Sequence, residues 1–222
     1  MDIDFWQQRW NLDQTAFHLP TVNPYLITFL NEFNTSPSSQ IFIPLCGKSK
    51  DIAWLASRYY SVLGVECSEK AIKEFYQEQV KIPQKESIRK FESYRADNIQ
   101  LLQGDFFDLD DKLLKDVSLV YDRAALIALP VEMRKQYVTL LNKILPDVTN
   151  ILLITLEYDQ KTMNGPPFSV STNEVEQLFQ TKYNIEILLE QDVIEGHQKF
   201  KERGLNELIE RVYKISSKLL RL

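Results

Sequence analysis

Cysteine is scarce in this 222-residue chain: Cys46 and Cys67 are the whole supply. Two thiols cannot frame a disulfide-stapled secreted module, so both read as reduced side chains. Histidine is equally rare, with only His18 and His197, and so few soft ligands leave no metal centre to expect. The 6 glycines are spread thinly. Gly47 is alone in its loop, so the three-glycine turn that carries a pyrophosphate-bearing cofactor is missing. Long hydrophobic runs are lacking as well. The strongest, Ile151 to Leu156, falls far short of the ~20 residues that cross a bilayer, and the acidic start Met1-Asp2-Ile3-Asp4 is unlike a basic secretory leader. A cytoplasmic protein without a membrane partner is expected. Nor is positive charge in excess, since 26 Lys and Arg stand against 31 Asp and Glu. The resulting net charge of -5 gives no drive toward phosphate backbones, so nucleic acid is excluded as a partner.

What is present is ordinary globular material, 44% hydrophobic and 26% charged. Leu26, Phe29, Leu30 and Phe33 fall at helical spacing after Asn23, a capping residue, and Pro24, suited to a first helical position. Ile41 to Ile43 reads as a strand, Ile52, Leu55, Ala56 and Tyr59 as a helix face, and Val62 to Val65 as a second strand. A helix follows Ser68 with Ile72, Phe75 and Tyr76 on one side. Lys81 to Asn98 is charged and weakly periodic and predicts a surface excursion, with room for a short helix. Strands are predicted at Ile99 to Gln103, Val117 to Tyr121, Ile151 to Leu156 and Ile185 to Leu189, and a helix after Pro130. Ser171 and Glu174 form a capping box for another helix. From Leu205 to Ile215 helix and strand periods fit equally. No repeat or linker divides the chain, so residues 1–222 predict one α/β domain with a mostly parallel sheet.

In open parallel sheets ligands sit beyond the carboxyl ends of the strands. The first predicted strand is followed by Pro44-Leu45-Cys46-Gly47-Lys48-Ser49, and the second, about 20 residues on, by Glu66, an acid placed to accept from a ribose diol. The third is followed by Gly104-Asp105-Phe106-Phe107, a carboxylate and rings suited to an adenine, and the fourth by Asp122-Arg123. Each has a plainer alternative. Gly47-Lys48-Ser49 is not a phosphate loop, because Phe42 stands where that motif needs glycine. Glu66 and Asp105 can each serve a local helix start, and Asp122 with Arg123 an internal ion pair. Packing explains Cys46 and Cys67, a rigid loop explains Asn164 to Phe168, and the stripe Trp6, Trp10 and Phe17 suits core or lid packing. Acids and aromatics without a pyrophosphate site fit a nucleoside-like cofactor such as S-adenosyl-L-methionine, whose sulfonium gains from aromatic faces.

From Trp6 to about Tyr213 the chain resembles the thiopurine S-methyltransferases. The resemblance rests on Trp6-Gln7-Gln8-Arg9-Trp10, Thr15-Ala16-Phe17-His18, Pro44-Leu45-Cys46-Gly47-Lys48, Gly64-Val65-Glu66, Tyr121-Asp122-Arg123-Ala124-Ala125-Leu126 and Gly165-Pro166-Pro167-Phe168. It implies a Rossmann-like, S-adenosylmethionine-dependent methyltransferase fold. The sheet would be seven-stranded and mostly parallel, with helices on both faces and an antiparallel last strand, which favours strand around Ile209 to Ile215. By position, Trp10, Leu45, Glu66 and Arg123 match cofactor-binding residues, with Trp6, Asp105 and Phe106 beside them. Phe17 and Arg123 fall near the acceptor, and residues 1–35 form a helical cover over the site. The family also places a basic residue near the acceptor, for which Lys199, Lys201 and Arg203 are the candidates, and Asp105 is more acidic than its vertebrate counterparts. The implied activity is methyl transfer to sulfur of aromatic or heterocyclic thiols such as thiopurines, with no catalytic acid or base. The alternatives are selenium, tellurium or small inorganic acceptors on the same fold, and a nucleoside-binding module without catalysis. No apolar stripe is left over, so a monomer is expected.

Overall fold

The computed structural model describes residues 3–15 and 17–218. The backbone divides into two compact units, Met1–Tyr121 with Ile144–Pro146, and Asp122–Lys143 with Asp147–Leu222. Among the described residues no helix is long and apolar enough to cross a membrane.

The first unit is built on β1 (Gln40–Ile43), β2 (Ser61–Glu66), β5 (Ile99–Gln103) and β6 (Val117–Asp122), whose last residue opens the second unit. β1 lies between β2 and β6, parallel to both, and β2 is parallel to β5. Ile41, Phe42, Val62, Val65, Leu101 and Leu119 are buried, as expected of strands covered on both faces. The chain therefore leaves β1 toward neighbours on opposite sides, and such a reversal opens a crevice at the strand ends. Around these strands run α1 (Ile3–Asn11), α2 (Pro24–Phe29), α3 (Lys50–Ser57) and α4 (Glu69–Glu78). The predicted caps are in place: the Asn23 side chain accepts from the Tyr25 N–H at 2.9 Å, and the Ser68 hydroxyl from the Ala71 N–H at 3.3 Å. Asp51, buried in the first turn of α3, accepts from the Asn23 N–H at 2.8 Å and the Tyr121 hydroxyl at 3.0 Å, fixing α2 against α3 and β6.

Two expectations fail here. Tyr59 fits the helical spacing, but α3 ends at Ser57 and Tyr59 stands exposed in the left-handed region, at φ 70°. The predicted excursion 81–98 is instead an antiparallel hairpin, β3 (Gln84–Ile88) and β4 (Phe91–Ala96), with β4 paired to β5. β3 is polar and exposed, so its pairing and not its periodicity makes it a strand. The hairpin raises the strand total among the described residues to nine, where the resemblance implied seven.

The second unit holds α5 (Val131–Ile144), β7 (Asn150–Glu157), α6 (Thr172–Phe179), β8 (Tyr183–Asp192), α7 (Gln198–Lys201) and β9 (Ile209–Ser217). β9 pairs antiparallel with both β7 and β8, which resolves the ambiguous C-terminal period as strand. At α6 the Ser171 hydroxyl accepts from the Glu174 N–H at 3.2 Å, one half of the expected capping box.

The hairpin is anchored by Phe91, 2% exposed, whose ring lies against Gly104: a Cβ there would sit 2.5 Å from Phe91 Cδ1. Phe91→Ala should therefore cost about 3–5 kcal/mol in urea unfolding. A change below about 0.5 kcal/mol, as for a solvated excursion, would contradict this packing.

Candidate active site

β2 ends in Glu66, only 5% exposed. Its Oε2 accepts from the Gly47 N–H at 2.9 Å, while Oε1 accepts from the Ser68 N–H at 2.8 Å and the Cys67 thiol at 3.3 Å. Burial pushes the Glu66 carboxyl upward, and these donors pull it back toward the charged form. Ser68 is the residue that caps α4, so Glu66 holds the cap instead of replacing it. A carboxylate offers about four acceptor directions, so acceptor capacity is left for a ligand.

The loop after β1 turns through two left-handed residues, Leu45 at φ 47° and Gly47 at φ 53°. The Cys46 N–H donates to the Val65 carbonyl at 3.0 Å. Gly47 lies against the Trp10 ring, and a Cβ there would be 3.0 Å from Trp10 Cζ2. Trp10 is buried, and Trp6 and Phe17 extend the same aromatic wall. Phe17 packs edge-to-face on Trp6 and on Trp10, with centroids 5.5 Å apart in both pairs. Cys46 is buried under Gly64, where a Cβ would come within 2.7 Å of both Cys46 Sγ and Leu101 Cδ2. Burial and the Glu66 charge raise the pKa of both Cys46 and Cys67, so neither serves as a thiolate. Among the described residues no group of His, Cys, Asp and Glu is placed to hold a metal ion.

The loop after β5 joins the same junction, since the Gly104 N–H donates to the Glu66 carbonyl at 3.0 Å. Asp105 Oδ1 accepts from the Phe107 N–H at 2.9 Å and caps the turn Phe106–Asp108. Phe106 is 3% exposed and packs edge-to-face with the half-buried Phe107 at 5.4 Å. Thus Trp6 and Trp10 on α1, Phe17 in the segment that follows it, and Leu45, Glu66, Asp105 and Phe106 at the ends of β1, β2 and β5 all belong to the first unit.

Arg123 belongs to the second unit and is half-buried. Its neighbour Asp122 is buried. Asp122 Oδ1 accepts from the Ala125 and Leu126 N–H groups at 3.0 and 3.1 Å, and Oδ2 from the Tyr137 hydroxyl at 2.7 Å. No Asp122–Arg123 ion pair occurs among the described residues, so the expected alternative fails. Asp122 instead folds the turn that presents Arg123. The Phe168 N–H donates to the Ile127 carbonyl at 2.7 Å, tying the Gly165 to Phe168 loop to that turn. Behind the loop, Arg134 is 2% exposed; Nη1 donates to the Ser169 carbonyl at 2.9 Å and Nε lies 3.2 Å from Glu174 Oε1. Of the basic stretch, Lys201 pairs with Glu195 at 2.6 Å, Arg203 Nη1 lies 3.3 Å from Met163 Sδ, and Lys199 is exposed. Helical spacing places Tyr137 on a helix face without revealing its bond to Asp122, and nothing in the sequence singles out Arg134, whose partners also lie on other elements.

The sequence profile of the thiopurine S-methyltransferases matches residues 1–218. A thiopurine S-methyltransferase of Azotobacter vinelandii is 46% identical over 97% of this chain and 99% of its own length. The chain belongs to the thiopurine S-methyltransferase family. Another member, from Pseudomonas putida, is 45% identical over 97% of this chain and all of its own length. Among solved structures, a methyltransferase of Anabaena variabilis described as SAM-dependent superposes with a TM-score of 0.64 at 15% identity, covering 97% of this chain and 95% of that one. The 1,6-didemethyltoxoflavin-N1-methyltransferase of Burkholderia thailandensis, solved with S-adenosylhomocysteine, gives 0.65 at 10% identity, over 97% of this chain and 87% of that one. At these identities the superpositions establish the methyltransferase fold, and the family match establishes what kind of enzyme this is.

Burial pushes the Asp122 carboxyl up to about 6, above the ~3.9 of an unfolded aspartate. The native state then binds the extra proton between about pH 4 and 6, so this group's contribution falls as pH rises through that window, by up to about 3 kcal/mol. Asp122→Asn has no proton to bind, so in urea unfolding the stability of the parent relative to this variant should fall as pH rises from about 4 to 7. Parallel profiles for the two proteins would show that Asp122 titrates normally.

Proposed function

We propose that this protein transfers the methyl group of S-adenosyl-L-methionine to the sulfur of a small aromatic or heterocyclic thiol of thiopurine type. What carries this is the aromatic wall of Trp6, Phe17 and Trp10 seated on Gly47, one hydrogen bond away from the buried Glu66 carboxylate. S-adenosyl-L-methionine brings a methyl group already activated on a sulfonium sulfur, so the protein has to bind and align more than exchange protons.

The residues present fit that ligand. Glu66 keeps acceptor capacity suited to a ribose diol, and Gly47, having no side chain, lets the Trp10 ring close against the loop beside it. Asp105 beside Phe106 and Phe107 suits an adenine amine and ring, and the indoles of Trp6 and Trp10 favour a cation. With Leu45 and Arg123 these residues are assigned to the cofactor. Phe17 and Arg123 are assigned to the acceptor: the ring suits a flat, soft thiol, and the guanidinium favours its thiolate form by charge proximity. Residues 1–35 cover the site of a single domain, which works as a monomer in the cytoplasm.

Radiolabelled methyl transfer from S-adenosyl-L-methionine to 6-mercaptopurine tests the assignment directly. Glu66→Gln should raise the cofactor Kd about tenfold, the scale of a lost charge-assisted hydrogen bond. Arg123→Glu should lower turnover by about tenfold or more. Transfer confined to selenium or tellurium acceptors would keep the cofactor and replace the thiol; no cofactor binding by the folded protein would remove both.

A further inference from the structure

Lys70 stands in the first turn of α4, two residues after the Ser68 cap. A cation there opposes the positive end of the helix dipole, where acids are favoured. Its partners lie elsewhere. Nζ donates to the Trp10 carbonyl at 2.9 Å and to Asp13 Oδ1 at 2.5 Å, with Glu74 at 3.7 Å. Trp10 is in the last turn of α1, where its carbonyl also accepts from the Asp13 N–H at 3.2 Å and the helix end attracts cations. Asp13 follows in the left-handed region, φ 53°, a conformation aspartate tolerates, and this bend returns the chain toward Phe17. One ammonium group therefore grips both the helix end that carries Trp6 and Trp10 and the bend that brings back Phe17. Beside it, Gln7 and Asn11 of α1 face Ser68 and Lys73 of α4 across a polar cleft of about 600 Å³.

We propose that Lys70 is a positioning residue of this enzyme, an ionic clasp that keeps the Trp6–Phe17–Trp10 wall seated against Gly47 beside Glu66. The role rests on the cofactor assignment above. The clasp is partly open to solvent, with 32% of the Lys70 side chain and 78% of the Asp13 side chain exposed, so salt weakens it.

The chain has 3 tryptophans, so in a Trp54→Phe background the only indoles left are both on α1. Acrylamide quenching of the full-length protein then reads the seating of α1 with no ligand present. Quenching should rise with salt in this parent, start high and stay salt-independent in Lys70→Met, and return to parental behaviour in Lys70→Arg. Calorimetric Kd for S-adenosyl-L-methionine should rise about three- to tenfold in Lys70→Met, with the thermal midpoint within about 2 °C of the parent. Identical quenching in parent and Lys70→Met overturns the clasp. Altered quenching with unchanged affinity overturns the positioning role. A parent that binds no S-adenosyl-L-methionine refutes the cofactor assignment and the positioning role with it, while quenching still judges the clasp. Should Lys70→Met fail to fold, the parent's salt titration and Lys70→Arg decide, and a salt-insensitive parent overturns the proposal.

Discussion

The buried carboxylate of Glu66 is the constraint on which the rest of the site depends. Removing a carboxylate from water costs several kcal/mol unless donors replace the lost hydration. Here those donors are backbone amides from the loop after β1 and from the cap of α4, while the Glu66 carbonyl receives the amide of the loop after β5. Three strand ends are thereby held to one residue. Gly47 is the narrow point: its N–H reaches Glu66 while Trp10 lies where a side chain would project. A helix that carries no strand of the sheet is in this way brought to the crevice at the strand ends.

Local signals made the elements around the candidate site legible in the sequence. The caps at Asn23, Ser68 and Ser171 depend on residues within three positions and are all found. Glu66 could be placed because the distance from one strand end to the next is set by the intervening helix. Features decided by pairing were not legible. β3 has no apolar face of its own and becomes a strand only through β4, and β9 fits two periods until β7 and β8 bracket it.

Polar partners across elements were the other gap. Adjacency suggested that Asp122 meets Arg123, whereas its carboxylate is filled by two amides and Tyr137 from the next helix. Glu174 was expected to complete a capping box, yet its carboxylate lies beside the buried Arg134 of α5. In both places a buried charge organises the backbone of a loop, and the residue that satisfies it is distant in sequence. Composition and spacing give the inventory of such groups without saying which of them meet.

The contact under Gly64 bears on how this site can change over generations. A single methyl there would strike both Cys46 in the loop after β1 and Leu101 in β5. Positions 46, 64 and 101 thus share one volume allowance, and a gain at one must be matched by a loss at another. Because Cys46 is flanked by Leu45 and Gly47, drift in this apolar layer is transmitted to the loop after β1. Change is therefore easier at the exposed Phe17 than in this buried layer.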